Sequence, residues 1–491
     1  SLLAPSGCTR TSVTSAGISR RSVPVTFRID VRRPRPAGSA PRRTRDANDT
    51  AVLSLRQFQS DHTPTLSPTA GPSPTAGPIV RELLAKGWTT GRSQPARSLY
   101  IHVPFCAHKC HYCDFYSIVD RRDRQAAFTD RLVRELAALA PLAGGLPLRT
   151  IFVGGGTPSL LEPALWERLL RALREHYDLR GPDGGGCEFT VECNPESATD
   201  ELMAVLAAGG VNRVSVGAQS FNPAHLRTLE RLHDPDNVAR TLELARDHGI
   251  DRRSLDLIFG VPGQTPEQWE RDLDRALALP IDHLSAYCLT YEPGTAMTAR
   301  LERGLFEPAE ESDEISMLER TLERLRAAGL DRYEVSNFAR PGRECRHNLA
   351  YWRQEPWIGA GPSASAHAGG HRWTNTPRLD DYLNQDGGDG FAPIGDHEPP
   401  DRGRALRERL MTGLRLREGL DAGSILSDAA AVADDLPERL GAIARRQAEI
   451  GRLDAGALAG NRWVLTDAGM LVADGVAWSL MEAVPDAAAP D

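Results

Sequence analysis

The feature that most constrains the fold is a series of short apolar runs that alternate with longer amphipathic stretches. Six runs rich in Val, Ile, Leu, Phe and Tyr are short enough to be buried strands, and they lie at 98–103, 150–153, 188–192, 213–217, 254–258 and 283–289. Helical patterns such as RQAAFTDRLVRELAALA and ALWERLLRALREHY separate them. Because repeated strand–helix units build parallel sheets, the pattern predicts an α/β fold with a partial (β/α)6 barrel. A further strand at 333–338 is expected to extend the edge of the sheet.

Composition divides the chain into four regions. Residues 1–95 carry 14 Lys and Arg against 5 Asp and Glu and are rich in Ser, Thr and Pro, which predicts a disordered basic tail. Mitochondrial transit peptides are also acid-poor and Arg-rich, but arginine outnumbers lysine throughout this chain, so a tail without a targeting role is preferred. We expect a core barrel at 96–340, a connecting segment at 341–399 and a small C-terminal domain at 400–485.

The C-terminal domain has the outline of a winged helix. Two helical patterns (RALRERLMTGLRL and ERLGAIARRQAEIGRL) precede a predicted hairpin that turns at Gly460-Asn461, and a last helix is expected to begin after Thr466. Winged helices often bind DNA, but residues 400–491 carry 11 basic and 15 acidic side chains, a poor match for nucleic acid. We therefore expect a structural or docking module, no nucleic-acid partner, and not a DNA-binding regulator.

The apolar runs and the cysteines both point to a cytoplasmic protein. No run reaches the roughly 18 apolar residues of a membrane-spanning helix, and no apolar stretch follows the basic start as in a secretory signal. The eight cysteines form a single tight cluster, which indicates metal or redox chemistry in a reducing compartment rather than a disulfide scaffold.

These neighbouring cysteines lie in the stretch CAHKCHYC at 106–113. Three interpretations of the stretch are a zinc site, a disulfide and an iron–sulfur cluster. Zinc usually takes two separated ligand pairs, whereas here three cysteines and two histidines share one short loop. A disulfide conflicts with a reducing compartment. The spacing C-x3-C-x2-C can wrap three corners of a cubane, leaving one iron open for an exogenous ligand. The spacing alone does not decide between an iron–sulfur cluster and a zinc site. The loop follows the first barrel strand, at the end where such barrels carry their active sites, and this position favours the iron–sulfur cluster.

Polar groups also follow the next strands of the predicted barrel. The second strand runs into GGGTP at 154–158, the third ends with Glu192, the fourth leads to Gln219, and the fifth carries Asp256. Glycines expose backbone donors and acceptors, and several polar groups around one barrel mouth favour a ligand that bears amine and ribose groups.

These motifs together resemble the radical S-adenosylmethionine (SAM) superfamily, and within it the oxygen-independent coproporphyrinogen III oxidase family. YIHVPFCAHKCHYCDF, GGGTPS, VECNPE, RVSVGAQSF, LDLIFGVPGQT, HLSAYCLTYEPGT and HNLAYW fit that family in order, over about residues 96–480. The resemblance implies a radical SAM barrel with a 4Fe-4S cluster on Cys106, Cys110 and Cys113, whose open iron is chelated by SAM. It also implies that SAM contacts Tyr100, Gly155, Gly156, Thr157, Glu192, Gln219, Arg231 and Asp256.

Two departures from the oxidase favour its HemW-like heme chaperone branch. The oxidase has a further cysteine two residues after the third one, where this chain has Phe115. The segment HNLAYW at 347–352 resembles the heme motif of the chaperone branch, which implies heme contacts from His347, Tyr351 and Trp352. A neutral imidazole ligates heme iron and aromatic rings pack on the macrocycle, although a lone histidine more often bonds its neighbours.

The resemblance therefore predicts a heme chaperone that passes heme to an acceptor protein. Arg343 and Arg346 are the nearest cations for the heme propionates, while Cys345 is more simply a buried thiol than a second ligand. A peripheral membrane contact is compatible with this role. The alternative is an enzyme, an oxygen-independent coproporphyrinogen III dehydrogenase that decarboxylates two propionates through a radical.

Overall fold

Six parallel strands form the centre of the molecule. The computed structural model describes residues 74–87, 94–182, 184–384 and 388–485. Each of the six predicted strands overlaps an observed one, and all six are neighbours in chain order: β1 (Ser98–Val103), β2 (Thr150–Gly155), β3 (Glu188–Cys193), β4 (Arg213–Gln219), β5 (Arg252–Phe259) and β6 (His283–Cys288). The parallel registers confirm the partial barrel.

Helices cover the outer face of these strands. They are α1 (Gly77–Lys86), α2 (Gln125–Leu139), α3 (Pro163–His176), α4 (Asp200–Ala208), α5 (Pro223–Thr228), α6 (Asp236–Asp247) and α7 (Pro266–Leu277), followed by α8 (Ala296–Glu302), which contacts the loop after β1, and by α9 (Glu311–Ala327), with short 3-10 turns at Ala140–Ala143 and Pro158–Leu160. In α7, Thr265 and Gln268 form a capping box, and Trp269, Leu273 and Ala276 are spaced to lie on one buried face.

Helix α1 lies within the segment for which a disordered tail is predicted. Residues 1–73 and 88–93 of that segment lie outside the described residues. The prediction does not hold for 74–87, because Ile79, Val80 and Leu83 recur at helical spacing and are buried in the main core. Their burial against the barrel supplies the stability that this short sequence lacks alone.

The sheet extends beyond the barrel at both edges. On the β6 side lie β7 (Asp331–Arg332) and β8 (Asn337–Ala339), so the expected extra strand is present but shorter. On the β1 side, 341–399 contributes strands in addition to connecting: β9 (Trp357–Ala360), parallel to β1, then antiparallel β10 (Ser365–Ala368), β11 (His371–Asn375) and β12 (Ile394–Glu398). Helices α10 (Arg346–Trp352) and α11 (Leu379–Asn384) belong to the same stretch.

The C-terminal region is helical and has its own apolar core. It contains α12 (Arg402–Gly413), β13 (Leu420–Asp421), α13 (Ala422–Ala430), α14 (Leu436–Glu449), α15 (Ala455–Ala459), β14 (Arg462–Trp463), α16 (Asp467–Leu471) and α17 (Ala473–Met481). The helix after Thr466 is confirmed, since the Thr466 hydroxyl caps α16. The hairpin that turns at Gly460-Asn461 is reduced to an antiparallel bridge between Leu453 and Leu465, because α15 precedes the turn and β14 pairs with the distant β13.

The two faces of each barrel strand carry different side chains. In β1, Leu99 and Ile101 are buried in the apolar core, whereas Tyr100 and His102 alternate with them and meet polar groups inside the barrel. This alternation gives the barrel a polar interior. None of the helices in the described ranges is long and apolar enough to cross a membrane.

Candidate functional site

The cysteine loop lies at the carboxyl end of β1, at the mouth of the barrel. The Cys106 N–H donates to the Ile118 carbonyl (2.9 Å) and the Ile118 N–H to the Pro104 carbonyl (2.8 Å), which closes the loop at its base. Inside the loop, Tyr112 packs on an apolar group that includes Leu229 and Met297. All three cysteines are free thiols and partly exposed.

Donors lie next to two of the three sulfur atoms. The Thr157 hydroxyl is 3.5 Å from the Cys106 sulfur, and the Arg231 guanidinium donates to the Cys110 sulfur over 3.7 Å. Burial raises the pKa of Cys113 to about 12, so this thiol keeps its proton until a metal replaces it. Hydrogen bonds and a positive charge beside the sulfurs would stabilise the thiolates of an iron–sulfur cluster, and the residues therefore fit that group.

The glycines at the end of β2 leave space that no other residue could leave. Gly155 has a φ of 105°, and a Cβ there would lie 2.5 Å from the His102 ring. A Cβ on Gly156 would lie 2.7 Å from the Phe105 carbonyl oxygen. The backbone therefore passes against the cysteine loop, and the Thr157 N–H donates to the same Phe105 carbonyl (2.7 Å). This contact brings Thr157 to the sulfur of Cys106.

Two half-buried carboxyl groups lie beneath the loop. Glu192 accepts from the Gly155 N–H (3.1 Å), and burial, with Asp256 nearby, raises the pKa of Glu192 to about 8. Asp256 accepts from the Ser215 hydroxyl (3.0 Å), and burial also raises its pKa. Buried carboxyl groups are stabilised by a cationic ligand, and the ammonium group of SAM has that charge. The donor and acceptor set thus fits SAM.

The other predicted SAM residues line the same interior. Gln219 ends β4 with a φ of 62°, where the pairing with β5 is irregular. Arg231 donates to the Gly217 carbonyl (2.7 Å), which links β4 to the cysteine loop. The Tyr100 hydroxyl lies 3.0 Å from His102 Nδ1, farther down the barrel. The structure thus brings Gln219 and Arg231 together at the mouth and places Tyr100 below them.

The histidine motif lies at the opposite end of the barrel. Helix α10 covers the beginning of β2 and β3: His347 Nδ1 is 2.8 Å from the Thr150 hydroxyl, and the His347 N–H donates to Glu188 (3.2 Å). Thr150 and Glu188 are the first residues of their strands, so about 17 Å of strand separates this end from the cysteine loop. The structure therefore places the cysteine loop and α10 at opposite ends of the barrel, and Tyr100 of the predicted SAM residues lies near the histidine, its ring centroid 6.4 Å from that of His347.

His347 is enclosed by aromatic rings. Its side chain is 1% exposed, and its ring centroid lies 5.3 Å from that of Phe152 and 4.7 Å from that of Tyr351. Its Nε2 is buried and has no hydrogen-bond partner within the described residues. Burial lowers the pKa of His347 to about 3, which keeps the imidazole neutral. The expected contact between His347 and Tyr351 on one helix face is present, and Trp352 is buried on the same helix.

The neighbours of the motif differ from expectation in one respect. Arg343 is half-buried and paired with Asp251 (2.9 Å) and Asp282 (3.6 Å), so it is not a ready partner for a propionate. Arg346 is exposed. Cys345 is a buried thiol that donates to Glu188 (3.7 Å), in agreement with the simpler interpretation.

Comparison with known proteins identifies the family. The model of the radical SAM superfamily matches residues 100–276. The heme chaperone HemW of Mycobacterium tuberculosis is 38% identical over 391 residues, which are 78% of this chain and 94% of that protein. The chain belongs to the HemW family. The HemW of Bacillus subtilis is 35% identical, over 66% of this chain and 84% of its own length.

The HemW family is related in structure to the oxidase HemN. The coproporphyrinogen III oxidase HemN of Escherichia coli, a radical SAM enzyme, superposes with a TM-score of 0.67 at 25% identity, over 79% of this chain and 91% of HemN. Membership of the radical SAM superfamily implies a 4Fe-4S cluster and SAM, and membership of the HemW family implies heme and a heme acceptor.

Sequence reasoning missed the residues that hold α10 in place. Glu188 contacts both Cys345 and His347 and pairs with Arg252 (3.2 Å), while Arg213 donates to the Arg343 carbonyl (3.1 Å). The available signal was the alternation E-x-T-x-E in β3, which is unusual for an apolar strand. Its meaning depends on α10, which lies about 160 residues farther along the chain.

Proposed function

We propose that this HemW-family protein is a cytoplasmic heme chaperone that binds heme, a 4Fe-4S cluster and SAM, and passes the heme to acceptor proteins. The observation that carries the proposal is the buried Nε2 of His347, a neutral imidazole nitrogen that has no hydrogen-bond partner among the described residues and lies inside an aromatic enclosure. Hemes are commonly held by such a nitrogen. Family membership supports the same function.

Cys106, Cys110 and Cys113 would hold the cluster, and Thr157 and Arg231 would stabilise its thiolates. Glu192, Asp256, Gln219, Tyr100 and the glycines 155–156 would bind SAM above the polar interior. The bound cluster supplies one-electron chemistry. The protein supplies the donors beside the sulfurs and the carboxyl groups that orient a cationic ligand.

Heme binding to His347 requires α10 to move. The aromatic rings on either side of His347 leave no room for a porphyrin, and Nδ1 is held by Thr150. When Nδ1–H donates to the Thr150 hydroxyl, Nε2 carries the lone pair that ligates iron. Movement of α10 away from Thr150 and Glu188 would expose Nε2, with Tyr351 and Trp352 beside it and Arg346 at the surface for a propionate.

The second candidate, the dehydrogenase, is weakened by Phe115. This side chain is exposed at the position of the additional oxidase cysteine. The experiment that separates the candidates is a coproporphyrinogen III assay with reductant and SAM, alongside a heme titration of the same cluster-loaded protein. We expect heme binding without porphyrinogen turnover. Turnover above background would establish the dehydrogenase instead.

A further inference from the structure

Arg231 and His233 carry three buried nitrogen atoms without a hydrogen-bond partner. The atoms are Arg231 Nε and both ring nitrogens of His233, and none of them is bonded within the described part of the chain. His233 is only 5% exposed. Buried polar atoms without a partner are few in folded proteins and each costs free energy. Three of them in one short segment therefore indicate that a polar ligand binds there.

The two side chains point the same way, toward the mouth of the barrel. Arg231 is half-buried and His233 is buried, whereas Leu232 between them is 71% exposed. Alternate side chains of an extended segment face opposite ways, so Arg231 and His233 share the inner side. The Arg231 guanidinium donates there to the Gly217 carbonyl (2.7 Å) and to the Cys110 sulfur (3.7 Å). This side of the segment thus faces the end of β4 and the cysteine loop.

The neighbours of His233 keep it neutral and make no hydrogen bond with its ring. Burial and the nearby Arg231 cation lower the pKa of His233 to about 4, so the imidazole has one N–H donor at neutral pH. The carboxylates of Glu196 and Asp234 and the Ala218 backbone act in the opposite direction, yet neither ring nitrogen bonds to them. Glu196 instead accepts from the Asp234 N–H (2.6 Å), which fixes the segment against the loop after β3.

An anionic group suits these donors. Arg231 offers a positive charge and its Nε–H, and the neutral His233 ring offers a second N–H. Hydrogen bonds from a guanidinium to a carboxylate are charge-assisted and strong. Glu192 and Asp256, at the ends of β3 and β5, suit an ammonium group instead. The methionine part of SAM carries an ammonium and a carboxylate on the same carbon atom, so one SAM molecule matches both sets.

We propose that His233 is an additional SAM-binding residue, which donates a hydrogen bond to the α-carboxylate of SAM together with Arg231. This inference rests on the proposed binding of SAM by this protein. His233 would gain its partner only when SAM is bound. The same side chain should therefore favour SAM binding and disfavour folding of the SAM-free protein.

The test is equilibrium dialysis of SAM, and of decarboxylated SAM, with the cluster-loaded full chain under anaerobic conditions. His233→Leu should weaken SAM binding about tenfold or more, because a hydrogen bond to a charged group is lost. Binding of decarboxylated SAM should change by less than about twofold, since that molecule lacks the acceptor. His233→Asn keeps an N–H donor and should recover part of the SAM affinity. Leu232→Ala, on the outer side of the same segment, should bind both molecules as wild type does.

Stability separates a binding role from a structural one. Cofactor-free His233→Leu should unfold at the same denaturant concentration as wild type or a higher one, because an apolar side chain replaces an imidazole that has no partner. Its iron content and its heme titration should match those of wild type. Unfolding of both His233 variants at lower denaturant concentration, or loss of iron in both, would show a structural role and overturn the proposal.

Two further outcomes would also overturn it. Unchanged SAM affinity in His233→Leu would show that His233 does not contact SAM, and equal weakening of both molecules would exclude the carboxylate contact. Neither outcome touches the proposed function. A wild type that binds heme but no SAM would instead reject the SAM part of the proposed function, and the role of His233 with it.

Discussion

Substitution Thr150→Val tests whether one hydrogen bond holds α10 closed. The Thr150 side chain is buried at the first position of β2, and its hydroxyl lies 2.8 Å from His347 Nδ1. Valine has nearly the same shape as threonine, so the substitution removes the hydroxyl and leaves the packing almost unchanged. The His347 nitrogen would then be buried without a partner.

The expected magnitude follows from that loss. Leaving one buried polar group unsatisfied costs about 1–3 kcal/mol, and the opened helix does not suffer this cost because His347 then meets water. The free energy of opening α10 should therefore fall by about 1–3 kcal/mol, which is about a 5- to 150-fold rise in the open population. If opening limits access to His347, the rate of heme binding should rise by a similar factor.

Native-state hydrogen exchange of the α10 amides, 346–352, measures this opening. The matched control is Thr190→Val in β3, because Thr190 is equally buried but its hydroxyl has no partner in the described part of the chain. In Thr190→Val, hydrogen exchange of the α10 amides should be as fast as in wild type or slower. Equal exchange rates of α10 in Thr150→Val and wild type, with heme binding also unchanged, would refute the idea that this bond holds the helix closed.

Further predictions concern the barrel mouth and its carboxyl groups. Anaerobically reconstituted protein should hold about four irons and four sulfides, and Cys113→Ser should abolish the charge-transfer band at about 400 nm; stoichiometric zinc without iron uptake would reject the cluster. Arg231→Met should lower cluster retention by removing the donor to Cys110, whereas unchanged iron content would show that this contact is unimportant. Burial raises the pKa of Glu192 from 4.5 to about 8, so the carboxyl is neutral in the folded chain and ionised in the unfolded chain between those values. The free energy of unfolding of the cofactor-free protein should therefore fall as pH rises through this window. Denaturant unfolding at pH 5 and pH 8 measures this fall, and Glu192→Gln should remove the part that is due to Glu192. If Glu192→Gln kept the wild-type pH dependence of stability, the raised pKa of Glu192 would be contradicted.

The barrel could be predicted because its signals are local. Each of β1 to β6 contains an apolar run of strand length, and the cysteine loop, the glycines, Glu192 and Gln219 end or follow such a run directly in sequence. The cysteine loop, the glycines and Glu192 therefore converge as expected once the strands are parallel neighbours. The strands β9 to β12 offer a weaker signal, since β9 is apolar but only four residues long and His371 and Arg372 interrupt the apolar pattern of β11.

The position of α10 could not be predicted because it depends on contacts between distant residues. HNLAYW predicts a helix with His347 and Tyr351 on one face, and this is present. Nothing near it in sequence indicates that the helix closes the barrel, which is determined by Thr150 and Glu188, 197 and 159 residues away. Helix α1 was missed for a similar reason, because its stability comes from burial against the barrel.

The most direct test of the central claim is an anaerobic heme titration of cluster-loaded wild type and His347→Ala, followed by absorption spectra. The account predicts that wild type gives a shifted Soret band with one tightly bound heme that depends on His347, and that the variant loses this component. Tyr351→Phe should lose much less, since it removes a hydrogen bond worth about 1 kcal/mol. An unchanged affinity and spectrum in His347→Ala would contradict the assignment of the ligand, and no heme binding by wild type would contradict the proposed function.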